Sequence, residues 1–170
     1  MNIDIDTGAF RIFPYPPNGN SNIGGIDLVS NPERIEEIPE LKDFPEKKEL
    51  IRRVNDKDSA FMTFGCDNGF QDSLFCGYIE FSYREASRFQ QSEGYQELFD
   101  SFENYVKTDP QTKDCVDSIL RSLRLSVSLF SYPARGIQNG HKIGLYYVGK
   151  DRQCVGQLLK IFCEWLIRQK

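Results

Sequence analysis

Histidine occurs once, at position 141, in Asn139-Gly140-His141-Lys142 with Arg135 and Gly136 just upstream. An imidazole beside a guanidinium and an ammonium suits a phosphate-bearing substrate. Arg135, His141 and Lys142 are the candidate anion-binding residues, and an enzyme would use His141 with Arg135, Lys142 or a nearby carboxylate. The same stretch also reads as a solvated hairpin loop, because Gly and Asn-Gly are turn residues, and that reading needs no further assumption. No G-x-S-x-G, G-x-x-x-x-G-K-[ST] or G-x-G-x-x-G run occurs, so nucleophile elbows and the common phosphate loops lack their sequence marks.

A single histidine also removes any His-rich metal site. The five cysteines, at 66, 76, 115, 154 and 163, contain no C-x-x-C pair and are odd in number. They read as free thiols buried as small hydrophobes, not as a disulfide framework or a thiolate cage. No metal and no cofactor is expected.

Carboxylates crowd the stretch Glu33, Glu36, Glu37, Glu40, Asp43, Glu46 and Glu49, with Arg34, Lys42, Lys47 and Lys48 among them. Mixtures of this kind usually form solvated helix faces with i,i+4 pairs. Charge is nevertheless uneven along the chain. Residues 121–170 hold nine Lys/Arg against two acids, a net of +7, and the other 120 residues hold 12 against 23, a net of −11, giving the overall −4. Segregated charge steers encounters and selects partners. Tyr15, Glu36, Glu37, Glu40 and Asp43 are the candidate partner contacts, chosen because they fall in irregular or short elements. Net −4 argues against nonspecific coating of nucleic acid. The basic C-terminal third, with Tyr132, Tyr146 and Tyr147 as stacking planes, is the local exception.

These residues need a scaffold. Phe10–Phe13 reads as a short strand ended by Pro14, Pro16 and Pro17, and Ile26–Val29 as another, within a loosely structured leading segment of about 1–30. Asn31-Pro32-Glu33 starts a brief helix that Pro39 ends. Helices are expected at about 45–55, 92–107, 112–121 and 151–168 from apolar stripes of helical period. Alternating patterns predict two hairpins, at about 59–83 and 123–148, the first turning at Asp67-Asn68-Gly69 and the second through a loop at 133–141.

The expectation is one α+β domain over 1–170, with a mainly antiparallel sheet covered by helices. Met1–Asp6 lacks the order of a secretory peptide, and no run is long and apolar enough to span a bilayer, so a cytoplasmic protein is expected. The leading functional expectation is a non-catalytic protein-binding module, of inhibitor or immunity type, that recognises a basic partner by charge complementarity. The alternatives are a small enzyme using His141, and local nucleic-acid binding.

Overall fold

Alternation decides which side of the sheet each strand residue serves. Phe75, Ile79 and Phe81 on one strand, Leu123, Leu125 and Val127 on a second, and Ile143, Leu145 and Tyr147 on a third all sink into one core. The computed structural model describes residues 4–18, 23–85 and 93–169. The parts of the expected leading segment at 1–3 and 19–22, and residue 92 of the expected second helix, lie outside the described residues.

The strands are β1 (Asp4–Ile12), β2 (Phe61–Gln71), β3 (Leu74–Tyr83), β4 (Leu123–Tyr132) and β5 (Ile137–Gly149), in the spatial order β1-β4-β5-β3-β2. The helices are α1 (Pro45–Val54), α2 (Glu93–Thr108), α3 (Val116–Ser122) and α4 (Arg152–Leu166). Both predicted hairpins and all four predicted helices are present, and the class is α+β. The sheet is mixed, however, because β1 runs parallel to β4, with Ile5 opposite Val127 and Ile12 opposite Ser131. The leading segment therefore contains a nine-residue edge strand.

Ile26–Val29 is not a strand. The Asp27 carboxylate accepts from the Val29 and Ser30 N–H groups at 3.0 and 3.1 Å, closing a local turn that competes with extended backbone. Ile26 and Leu28 on either side of it plug the main core. The expected helix after Asn31 is two short 3-10 turns, Pro32–Glu37 and Pro39–Leu41. Asn31 does not cap the first. Its side chain donates to the Asp27 carbonyl instead.

Both hairpin turns lie away from the Asn-Gly pairs. The strand β2 continues through Asp67-Asn68-Gly69, opposite Tyr78, Gly77 and Cys76, and the chain reverses at Asp72-Ser73, both with positive φ. Two positive-φ residues match the right-handed twist of the strands, and the Phe70–Phe75 cross-strand ring pair lies next to that turn. The Lys47 ammonium holds the Asn-Gly stretch extended by donating to the Asp67 carbonyl and to Asn68 Oδ1 at 2.8 and 2.9 Å. In the second hairpin Pro133–Arg135 makes a 3-10 turn, Gly136 takes φ 67°, and β5 already begins at Ile137.

Helix α1 ends where Asn55 donates to the Ile51 carbonyl and to Thr63 Oγ1, while Asn55 Oδ1 accepts from the Thr63 N–H. The Arg84 guanidinium donates to the carbonyls of Val54, Asp56, Lys57 and Phe61, taking up acceptors that the helix end leaves over. Across the core, the rings of Phe102, Phe162 and Trp165 stand 5.0–5.2 Å apart. A smaller cluster of Phe13, Met62, Phe64, Phe130, Tyr132 and Ile137 fills part of the opposite face, which carries no helix among the described residues.

No disulfide joins the described cysteines. Cys163 is buried, Cys66 and Cys76 are half-buried, and Cys115 and Cys154 are exposed, so the expectation of buried thiols holds fully for one of the five. No helix among the described residues is long and apolar enough to cross a membrane.

One position tests the packing directly. A Cβ at Gly77 would overlap the Asp67 carbonyl oxygen and come within 2.6 Å of the Tyr147 hydroxyl, whereas a Cβ at Gly69 would meet nothing within 4 Å. Gly77→Ala is expected to destabilise the fold by about 2 kcal/mol, and Gly69→Ala by less than about 0.5 kcal/mol. Urea unfolding midpoints check both.

Candidate functional site

Phe13 is buried in the smaller cluster, whereas Ile26 and Leu28 are buried in the main core on the helix side. The described pieces 13–18 and 23–29 act as a strap, pinned by two polar clusters. At its first end the Tyr15 hydroxyl donates to Glu80 Oε2 at 2.7 Å. Lys142 Nζ donates to Tyr15 Oη at 2.7 Å, and Lys142 forms an ion pair with the other oxygen of Glu80. Lys142 is 2% exposed and Glu80 13%. Gly65 on β2 makes room for this cluster, since a Cβ there would lie 2.9 Å from Glu80 Oε2. Burial and then the Glu80 carboxylate push the Tyr15 hydroxyl far above the usual tyrosine range. A tyrosine held so firmly in its neutral form is a poor proton shuttle and a good latch.

At the second end Arg135 grips Asp27, with Nη2 donating to Oδ2 at 2.8 Å, and the Tyr132 hydroxyl donates to the same oxygen at 2.7 Å. Burial alone would raise the Asp27 carboxyl. Hydrogen bonds from Tyr132, Arg135 and Ser30 outweigh it and hold the group down at about 2.

Beneath the strap lies a cleft of about 750 Å³. It is lined by Tyr15, Pro16, Pro17, Asn18, Ile23 and Gly24 of the strap, by residues 63 to 67 of β2, and by Arg11, Ile38, Glu40 and Tyr78. Cleft volumes of this order suit binding of a small molecule or a short segment. The charged side chains in the wall are Arg11, Glu40 and Asp67, a net of one negative charge. Groups in the lining that become anions are disfavoured in that form. Burial pushes the Tyr78 hydroxyl up to about 12, with Glu80 and Asp67 adding to the rise. Burial also pushes the Cys66 thiol up to about 11, against an offsetting pull from Lys47 and with help from Glu40 and Asp67. The Arg11 guanidinium stands 6.0 Å from the Tyr15 ring centroid, within cation–π reach of its face.

Beside β2, Lys47 is fully buried and makes no ion pair among the described residues. Its partners are the Asp67 carbonyl, Asn68 and the face of Tyr147 at 5.5 Å. Burial lowers its pKa, with Cys66, Glu40 and Asp67 opposing the fall.

Of the five predicted partner contacts, the fold brings Tyr15 and Glu40 together in this cleft. It does not bring the other three there. Glu36 pairs with Lys48 at 2.6 Å and Glu37 with Arg34 at 2.8 Å, both on the surface. Asp43 is exposed, and its carbonyl accepts from Arg152. The alternative trio does not converge either. Arg135 is committed to Asp27, Lys142 to Glu80 and Tyr15, and the His141 ring lies 5.9 Å from that of Tyr95, one residue along β5 from Lys142 and hence on the other face. Of the three stacking candidates, Tyr132 and Tyr147 are buried and Tyr146 is 43% exposed. The described residues contain no group of three His, Cys, Asp or Glu able to hold a metal ion.

Arg11, Glu80, Asp67, Tyr78 and Lys47 were missed from sequence. Glu80 offered a signal, a carboxylate between Ile79 and Phe81 in an apolar strand. Lys47 offered none, because it sits in a run of charges that reads as solvated.

No protein-family model, no curated protein and no solved structure matches this chain.

Two predictions follow from the pins. Lys142→Met leaves the Glu80 carboxylate buried without its cation and is expected to cost about 3–5 kcal/mol in unfolding free energy. Combining it with Glu80→Leu is expected to recover most of that loss, which chemical denaturation of both variants reads. For Asp27 the folded carboxyl lies below its ordinary 3.8. Its stabilisation is therefore complete above about pH 4 and fades as pH falls toward 2. The stability gap between the native chain and Asp27→Asn should narrow over that window, and a gap independent of pH would contradict the assignment.

Proposed function

We propose that the chain is a non-catalytic binding module that receives a positively charged segment of another protein in the cleft beneath the strap. The observation that carries this reading is the meeting of Tyr15 and Glu40, 25 residues apart in sequence, with Asp67 and Tyr78 around one concavity. Glu40 is half-buried and Asp67 exposed, and two carboxylates bordering one concavity attract a cation more strongly than either alone. Tyrosine faces beside them add cation–π attraction. Arg11 over Tyr15 is an intramolecular example of the contact that an incoming guanidinium or ammonium would make.

An inhibitor that pushes acidic side chains into a basic cleft would need protruding carboxylates left to the partner. Glu36 and Glu37 protrude, but Lys48 and Arg34 already neutralise them. The concave site is therefore favoured over the acidic surface. The cationic trio around His141 lacks convergence on one point, which leaves the phosphate-enzyme reading without geometric support.

A titration of hexalysine into the isotopically labelled protein at about 0.15 M ionic strength tests the proposal. Amide shifts are expected to concentrate at Gly65, Cys66, Asp67 and Gly24, with little response to hexaglutamate. Glu40→Gln combined with Asp67→Asn is expected to weaken hexalysine binding about tenfold, or about 1.4 kcal/mol. Equal response to both peptides, or shifts confined to Arg124 and Tyr146, would overturn it.

A further inference from the structure

We infer that one end of the sheet face opposite the helices pairs with the same patch on a second copy of the chain, around a two-fold axis parallel to the strands. This inference stands apart from the cation reading of the cleft, although Asp67 and Tyr78 border both surfaces.

An antiparallel sheet with one solvated face keeps polar side chains on that face. At the hairpin end of this sheet β3 and β5 depart from that rule. Their outward residues are Leu74, Cys76 and Tyr78 on β3 and Tyr146 and Val148 on β5, alternating with the buried Phe75, Ile79, Leu145 and Tyr147. Tyr146 is 43% exposed and Leu74 44%, so apolar surface meets water here. One step further along β3 the face is occupied, since Glu80 accepts from the Tyr15 hydroxyl.

One row across four strands identifies the occupant. Asp67 on β2 lies opposite Tyr78 on β3, Tyr78 opposite Tyr146 on β5, and Tyr146 opposite Arg124 on β4. These strands are neighbours in the order β4-β5-β3-β2, so the row reads base, tyrosine, tyrosine, acid. The two rings stand 5.9 Å apart, and the Arg124 guanidinium lies 5.9 Å from the Tyr146 centroid. Asp67 and Arg124 are exposed at the two ends. An apolar centre with charge at its rim is the layout of a protein interface.

The row is its own complement. A second copy, turned face to face about an axis along the strands between β3 and β5, lays its β4 over β2 and its β5 over β3. Asp67 of each copy then meets Arg124 of the other, and Tyr78 of each meets Tyr146 of the other. In the adjoining row Cys76 meets Val148 in the same way. Packed sheets stand about 10 Å apart, a gap that an arginine and an aspartate bridge from opposite sides. An axis across the strands would instead set Asp67 over Asp67 and Arg124 over Arg124. Charge therefore selects one of the two isologous arrangements.

Other occupants fit less well. A single-stranded nucleic acid would stack on the tyrosines, but Asp67 places a negative charge where its phosphates would run. An unrelated protein would have to carry the reversed row, which a second copy supplies by symmetry. Area sets the strength of the pairing. Four strands about 4.8 Å apart, with three outward residues along each, cover on the order of 400 Å² per copy. A standard stable interface takes about 800 Å² from each partner, so the dimer is a weak one, with Kd between about 10 μM and about 1 mM.

Sedimentation equilibrium of the full chain over that concentration range tests the pairing. The native chain is expected to pass from monomer toward dimer. Asp67→Arg and Arg124→Asp should each weaken the dimer about tenfold, because each sets like charges against one another. An equimolar mixture of the two variants should associate again to within about threefold of the native chain, since every reversed residue then faces an opposite charge. That recovery would also show both variants to be folded. A native chain that stays monomeric throughout, including one that binds an oligouridylate on Tyr146 instead, would overturn the inference. So would a dimer that both reversals leave intact, or variants with native circular dichroism that stay monomeric when mixed.

Discussion

The carboxylate of Glu80 lies on the face of β3 opposite Ile79 and Phe81, where it meets Tyr15. It accepts from Tyr15 and Lys142 together, drawing a residue of the leading segment and a residue of the central strand β5 onto β3. Isolated, a buried carboxylate would cost several kcal/mol in lost hydration. Paired with an ammonium and a phenol it is satisfied, and no described buried side-chain nitrogen or oxygen lacks a partner. The geometry of the cleft follows from this contact. Were Tyr15 released, the strap would lose the polar pin at its first end and keep Phe13 there, with Ile26, Leu28 and the Asp27 cluster at the other.

The same contact accounts for how the sequence-level charge imbalance is used. The acidic front and the basic tail meet within the fold at Asp27–Arg135, Glu80–Lys142 and, in the reverse sense, Arg53–Glu164. These pairs stitch early segments to late ones. What remains for a partner is therefore smaller than the totals of −11 and +7 suggest, and it is local. Glu40 and Asp67 matter because they sit in a concavity and make no ion pair among the described residues, not because the front of the chain is acidic.

Much of the scaffold was legible in the sequence. The strand β4 could be read from Leu123, Leu125 and Val127 alternating with Arg124 and Ser126, and α4 from its apolar stripe ending at Trp165. The turn positions were misjudged because Asn-Gly is a local preference, and tertiary contacts override it. Lys47 fastens Asp67 and Asn68 into β2, and Gly77 opposite makes that close approach sterically possible. The parallel pairing of β1 was hidden for a related reason. It depends on a partner more than a hundred residues away, and nothing in residues 4–12 announces it. The candidate site was half legible: Tyr15 and Glu40 stood out by type and by falling in irregular chain. Their meeting with Asp67 and Tyr78 is a product of tertiary packing, which no periodicity encodes.

A cleft of this shape is a claim about where a cation rests, and proximity to the tyrosine rings reads it most directly. With arginine amide near saturation, intermolecular nuclear Overhauser effects from its side-chain methylenes should reach the ring protons of Tyr15 and Tyr78 together. Contacts only with Tyr146 on the open sheet, or none to either cleft tyrosine, would contradict the account.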